Sequence, residues 1–164
     1  MNEEKITGTI AVTGTINGTI TIGGGGGGGS ESSDFVIHHD IEEIPDYMFQ
    51  GQEFKTFKVE SDEQPVYVGS YCFLNCLNLE RIEFPLVASF GTAPFANCPI
   101  KDYYIGRASK GATGQSAVVP FSGFSLGAFV QDRKIHVPAD LVMYYKSTTG
   151  WRSYADMIVG DYDA

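Results

Sequence analysis

The chain has 164 residues, 43% of them apolar, and a formal net charge of −9. The apolar content supports a packed core and excludes wholesale disorder, and the length suits one domain with an appendage. The acidic balance repels phosphate backbones and anionic lipid, and no apolar run nears the ~18 residues of a bilayer span, so nucleic-acid binding and membrane insertion are set aside.

The first residues, Met-Asn-Glu-Glu-Lys, carry acid where a secretion signal carries base, which predicts synthesis and first folding in the cytosol. Three cysteines, an odd number, fit a reduced compartment. Residues 1–22 read as an extended β segment. Ile6, Gly8, Ile10, Val12, Gly14, Ile16, Gly18, Ile20 and Ile22 alternate with small, mostly polar residues. Fully extended, residues 6–22 reach roughly 55 Å. Three arrangements stand open: a loose Thr/Gly tail, a long strand pairing with other chains, and a hairpin packed on its own repeat domain. In the second, Ile6, Ile10, Val12, Ile16, Ile20 and Ile22 form an assembly surface. The glycine run Gly23–Gly29, followed by Ser30, Glu31, Ser32, Ser33 and Asp34, reads as a linker over 23–34. It lacks the Gly-Lys-Ser/Thr ending of a phosphate loop.

Residues 35–138 carry repeats. Aligning turn phenylalanines gives Phe49, Phe73, Phe95 and Phe129, with the first two steps about two dozen residues long and the last longer by about a dozen. Such periods mean a solenoid, and an insertion at 106–126 absorbs the longer step. Each turn leads into a short strand, at Phe57–Val59, Ile82–Phe84, Tyr103–Ile105 and Ile135–Val137. The outward positions fall into two columns, Thr56–Arg81–Asp102–Lys134 and Lys58–Glu83–Tyr104–His136. Opposite charges on neighbouring strands predict the pairs Arg81–Asp102, Asp102–Lys134 and Lys58–Glu83, leaving Tyr104 and His136 as a neutral contact patch. The insertion begins with Arg107 and Lys110 and turns apolar at Phe121 and Phe124. It either forms a binding loop or folds back on the core.

Residues 139–164 change period. Asp140 is placed to cap a short helix through Tyr144, Tyr145 and Lys146. Trp151, Tyr154 and Ile158 share one side of a second helical stretch that covers the open end of the array and shields its last strand. Trp151 reads as the anchor.

No constellation supports catalysis, a metal or a cofactor. Cys72 and Cys76 lack a second ligand pair at zinc spacing, and Cys76 and Cys98 repeat as small core residues. Adjacent His38 and His39 on a strand point to opposite faces and converge poorly on one metal. Asp156, Asp161 and Asp163 read as solvated charge.

Phe73-x-x-Cys76-x-x-Leu79-x-x-Ile82-x-Phe84-Pro85 resembles the BspA-like family of leucine-rich repeats, as do Phe95-Ala-Asn-Cys98-Pro-Ile100 and Ile44-Pro45 with Phe49. The stretch from Ile135 through Pro138, Trp151 and Ile158 resembles the C-terminal end of such arrays. The resemblance implies a mostly β protein, a right-handed leucine-rich-repeat β-solenoid with a short C-terminal helical cap behind the extended β segment. It implies non-catalytic protein binding or adhesion, toward a protein partner such as a host surface receptor, or a glycan. Relatives occur on bacterial and protist surfaces and among phage proteins. The expected setting is a phage virion, as a fibre, tail or capsid-decorating protein made in the host cytoplasm. There residues 1–22 serve homo-oligomerisation or attachment to a virion protein, and the repeats serve attachment. A bacterial cell-surface adhesin without its leader is the alternative, and a hydrolase on a β-solenoid a further one. Tyr104, His136, Arg107, Phe121 and Phe124 are the candidate binding residues.

Overall fold

The computed structural model describes residues 20–23, 34–38 and 40–164. Alternation along each strand turns one set of residues inward. Phe35 and Ile37 of β2 (Asp34–Ile37), Phe57 and Val59 of β4 (Thr56–Val59), Ile82 and Phe84 of β6 (Arg81–Phe90), Tyr103 and Ile105 of β7 (Asp102–Arg107) and Ile135 of β8 (Lys134–His136) are all fully buried. These strands form one parallel sheet in the order β2–β4–β6–β7–β8. No rung hides its own apolar face. Each is covered by the next, so the core is continuous only when the rungs stack.

β6 serves two ladders. Its first half pairs with β7, and its second half pairs Val87 with Val66, and Ser89 and Phe90 with Tyr67 and Val68, of β5 (Val66–Val68). β5 in turn lies parallel to β3 (Glu43–Ile44). The result is a mostly-strand, coiled array with few helices. Between the ladders run turns that bond rung to rung. Tyr47, Phe49 and Gly51 donate their N–H groups to the carbonyls of Ser70, Cys72 and Leu74, and Tyr71, Phe73 and Asn75 donate to Thr92, Pro94 and Ala96. Gly51, Asn75 and Asn97 occupy the same left-handed position at φ +73°, +62° and +65°. Asparagine tolerates that conformation because its amide satisfies local groups, and here the Asn97 amide donates to Asn75 Oδ1 at 2.8 Å.

Inside these turns Phe49, Phe73 and Phe95 stack, with centroids 5.6 and 5.5 Å apart. Cys76 and Cys98 follow the same repeat. Each is buried and donates its thiol to the carbonyl of the preceding rung's phenylalanine, Phe49 at 3.0 Å and Phe73 at 2.9 Å. The ladder does not continue to Phe129, which is 79% exposed beneath the Arg133 guanidinium. Phe124, 3% exposed, packs against Phe95 and Phe90 instead. The cause is the close approach of Gly127, where an added Cβ would lie 2.1 Å from the Cys98 carbonyl oxygen. The Gly127 N–H donates to the Tyr103 hydroxyl and the Ala128 N–H to Cys98, so the chain turns outward before Phe129.

The array also extends further at both ends than the strand reading expected. β1 (Ile20–Gly23) pairs antiparallel with β2, in register Ile20–Ile37 and Ile22–Phe35. That pairing places residues 20–23, the end of the N-terminal segment, beside the first strand of the repeats. Ile6, Ile10, Val12 and Ile16 lie outside the described residues. At the other end Ile158–Val159 forms β9, parallel to β8. The expected helix through Trp151, Tyr154 and Ile158 is instead a 3-10 stretch, Trp151–Met157, interrupted at Tyr154. Trp151 is nevertheless the anchor. It is fully buried against Phe124, Phe121 and Tyr145, and its indole N–H donates to the Val119 carbonyl at 2.7 Å. Asp140 does not cap α1 (Val142–Ser147), whose start has no side-chain cap. A stronger partner holds it, as described next.

Candidate binding face

The outward columns have the register expected of them. Thr56, Arg81, Asp102 and Lys134 lie side by side, as do Lys58, Glu83, Tyr104 and His136. The pairings across them differ from expectation. Lys58 does approach Glu83, at 3.8 Å. Arg81 turns along its own strand to Glu83 at 3.2 Å and lays its guanidinium 4.4 Å from the Tyr104 ring centroid, away from Asp102. Asp102 faces His136 Nε2 at 2.8 Å rather than Arg81 or Lys134. A long arginine chooses among every acceptor within its reach, and an aromatic face adds attraction that a charge-matching rule omits.

Tyr104 and His136 do meet, ring on ring, at 4.1 Å and 6°. They are not an open patch. His136 is 8% exposed, and its Nδ1 faces Asp161 Oδ1 at 2.7 Å. The tail crosses the sheet here. The Tyr162 backbone N–H donates to Val137, its ring edge meets Tyr104 at 5.3 Å, and its hydroxyl donates to Glu83 Oε2 at 3.2 Å. Burial, with Glu83 adding to it, pushes the Tyr162 phenol well above its ordinary range. Asp161, itself exposed, is thus tied to His136 and not merely solvated charge, while Asp156 and Asp163 are exposed as well.

The other candidate residues are engaged within the fold. Arg107 forks onto Asp140 at 2.7 and 2.9 Å and reaches the Ala112 carbonyl at 3.1 Å. That hydrogen-bonded pairing holds the Asp140 carboxyl below the usual carboxylate range, and it removes Asp140 from the helix start. Phe121 and Phe124 wrap Trp151, so the stretch from Ala117 to Phe124 folds back on the core.

The open half of the face lies over β2, β4 and the first residues of β6. A hollow of about 370 Å³ is lined there by Asp34, Val36, Thr56, Lys58 and Arg81, and Thr56 donates to Asp34 at 2.7 Å. A larger one of about 610 Å³ lies between this surface and the tail, lined by His38, Lys58, Glu60, Ser61, Glu83 and Tyr162 among others. His38 Nδ1 meets Glu60 at 2.7 Å, and Asp40 braces the rim by accepting the N–H groups of Asp62, Glu63 and Gln64. Burial alone would raise the Asp40 carboxyl. The three backbone donors outweigh it and leave the group below its ordinary value. This hollow escaped the sequence reading, which judged His38 only as a metal ligand. The offset of 22 residues between His38 and Glu60, one rung, was the signal. Among the described residues, no group of three or more His, Cys, Asp or Glu side chains is placed to hold a metal ion.

The family model described as BspA type leucine rich repeat region matches residues 20–115, in six copies. No curated protein and no solved structure matches the chain.

Proposed function

Because the chain belongs to the BspA-type leucine-rich-repeat family, we propose that it is a non-catalytic protein-binding and adhesion module whose partner docks on the open half of the outer sheet face. The observation that carries this reading is the division of labour along each strand. Inward positions are packed rung on rung, while Thr56, Lys58 and Arg81 line the smaller hollow and Lys58, with Glu83, continues into the larger one beside the tail. Concave sites with a few convergent polar groups are where solenoids present binding surfaces. In this reading the coil is right-handed and residues 139–164 form its cap, which the added strand β9 supports. The setting proposed is a phage virion, with residues 1–22 as the assembly segment. The Ile/Thr/Gly alternation ahead of a glycine run supports that part.

Fluorescently labelled protein applied to a panel of bacterial cells tests the docking face. Lys58→Glu should reduce labelling of a responsive strain about tenfold, while Asn78→Ala, on a turn, should not. Equal labelling by both variants would remove the face from the proposal. Light scattering on the full chain and on a form lacking residues 1–34 tests assembly, and identical monomers would count against it.

A further inference from the structure

We infer that the segment after β9 is a strap across the outer face, latched by His136 in its doubly protonated form and loosened when that ring loses a proton. The latch joins three side chains from three elements. His136, on β8, is 8% exposed. Its Nε2 faces Asp102 Oδ1 of β7 at 2.8 Å, and its Nδ1 faces Asp161 Oδ1 of the tail at 2.7 Å. A neutral imidazole carries one N–H, and an ionised carboxylate only accepts. Both contacts are therefore hydrogen bonds only when the ring carries two protons. Take one away, and a nitrogen lone pair faces a carboxylate in a largely buried place, where an unmade hydrogen bond is costly.

Geometry decides which contact is given up. Asp102 belongs to a strand paired on both sides, with Arg81 of β6 and Lys134 of β8. Asp161 belongs to an irregular segment, and its side chain is 60% exposed against 35% for Asp102. The neutral ring keeps its proton toward Asp102, and Asp161 turns to solvent. The pivot is Gly160, where an added Cβ would lie 3.0 Å from Val142 Cβ and 3.2 Å from Ala139 Cα. Before it the chain is fixed by the pairing of β9 with β8. Beyond it the strap is held by His136, by the Tyr162 N–H on the Val137 carbonyl, and by the Tyr162 ring on Tyr104 and hydroxyl on Glu83.

The charged and titratable groups around the ring come from four elements. β7 supplies Asp102 and the stacked Tyr104, and β6 supplies Arg81 over Tyr104 and Glu83 at Tyr162. β8 itself adds Lys134, beside Asp102, and the tail adds Asp161 and Tyr162. β9 brings only Ile158 and Val159. Burial pushes the Tyr104 and Tyr162 phenols up, so both stay neutral over the span in which histidine changes charge, about pH 5 to 8. The strap is thus closed at low pH and loosens as pH rises through the titration of the ring. Tyr162, Asp163 and Ala164 form one wall of the larger hollow, so its release widens that hollow whatever docks there.

NMR of the full, 15N-labelled chain between about pH 5 and 9 tests the latch. It needs no partner, so the strap stands or falls apart from the docking face. Below the transition both ring nitrogens of His136 should carry protons, read directly from their 15N shifts. Above it one should be bare. The Tyr162 amide, corrected for intrinsic base catalysis, should then exchange about tenfold faster. The Asp161 and Tyr162 amide shifts should move with the same midpoint. Asp161→Asn offers an amide that serves either form of the ring, so Tyr162 protection should lose its pH dependence. His38→Gln removes the histidine–carboxylate pair with Glu60 and should leave the transition in place. A ring with one proton throughout, a ring that keeps both to the top of the range, Tyr162 protection that ignores the ring, an unaltered transition in Asp161→Asn, or its loss in His38→Gln would each overturn the latch.

Discussion

Phe73→Ala tests whether the rungs act as one cooperative unit. Phe73 is fully buried. It stacks between Phe49 and Phe95, and its ring meets Phe57 edge-on at 4.6 Å. Truncating a buried phenylalanine costs about 3–5 kcal/mol. The upper end applies here, because two stacked neighbours and one edge contact are lost together, each worth about 0.5–1.5 kcal/mol beyond area burial. With a urea slope of about 2 kcal/mol/M, the midpoint should fall by roughly 2 M. The single tryptophan makes the assay sharper, since Trp151 lies near the far end of the sheet path, in the stretch leading into β9. Urea transitions followed by Trp151 fluorescence and by far-UV circular dichroism should move together. If the dichroism midpoint falls while the Trp151 transition stays, the C-terminal segment folds independently of the ladder and the continuous-core argument is refuted.

Three further outcomes follow from the geometry. Gly106→Ala places a Cβ 2.0 Å from the Pro85 carbonyl oxygen, backbone against backbone, so β6 and β7 must separate. A loss of about 3 kcal/mol or more in chemical denaturation is expected, and a near-neutral variant would mean the approach is looser than described. Tyr162→Ala removes the ring on Tyr104 and the hydroxyl on Glu83. Amide exchange should accelerate about His136 and Val137 with little change in the global urea midpoint, because the tail opens locally. The Asp40 and Asp140 carboxyls are both held below their ordinary values, so the stabilisation they provide is complete above the unfolded value of about 3.9 and is lost as pH falls through their folded values. Asp40→Ala should therefore melt well below the wild type near pH 7, and the two melting curves should converge toward about pH 2. A constant gap across that range would show that the carboxylate charge contributes nothing.

Strand register was legible because it depends on inward packing, which repeats. Once Phe57, Ile82, Tyr103 and Ile135 are aligned as core, every outward residue is placed as well, and both columns stand as expected. What the outward residues then touch was not legible. Arg81 had Asp102 beside it and chose Glu83, two positions along its own strand, with Tyr104 beneath it. Asp140 has the residue type of a helix cap, yet a bidentate arginine from β7 outcompetes a single backbone N–H. Phe129 sits in a sequence context like that of Phe95. The insertion before it lets Phe124 reach the ladder first, and pattern matching carries no information about which of two nearby aromatics arrives. The tail failed differently. Its acidity suggested solvation, whereas Tyr162 between two aspartates is the residue that decides where the segment lies.

That tail bears on where specificity resides. In a stacked array the inward residues are constrained by their neighbours above and below, so recognition has to be written in outward side chains. The tail occupies the half of the face over β7 and β8, where Tyr104 and His136 stack and both histidine nitrogens meet carboxylates. Those groups are already satisfied, and a partner would have to displace Tyr162 to reach them. Over β2 and β4 the polar groups are less completely matched. Lys58 stands off from Glu83, and the adjoining hollows share Lys58 and Glu83. A ligand gains most where it completes hydrogen bonds the protein leaves unmade. By that criterion the docking proposed above would draw its discrimination from the open N-terminal half of the sheet, while the aromatic half under the tail is part of the fold that holds it in place.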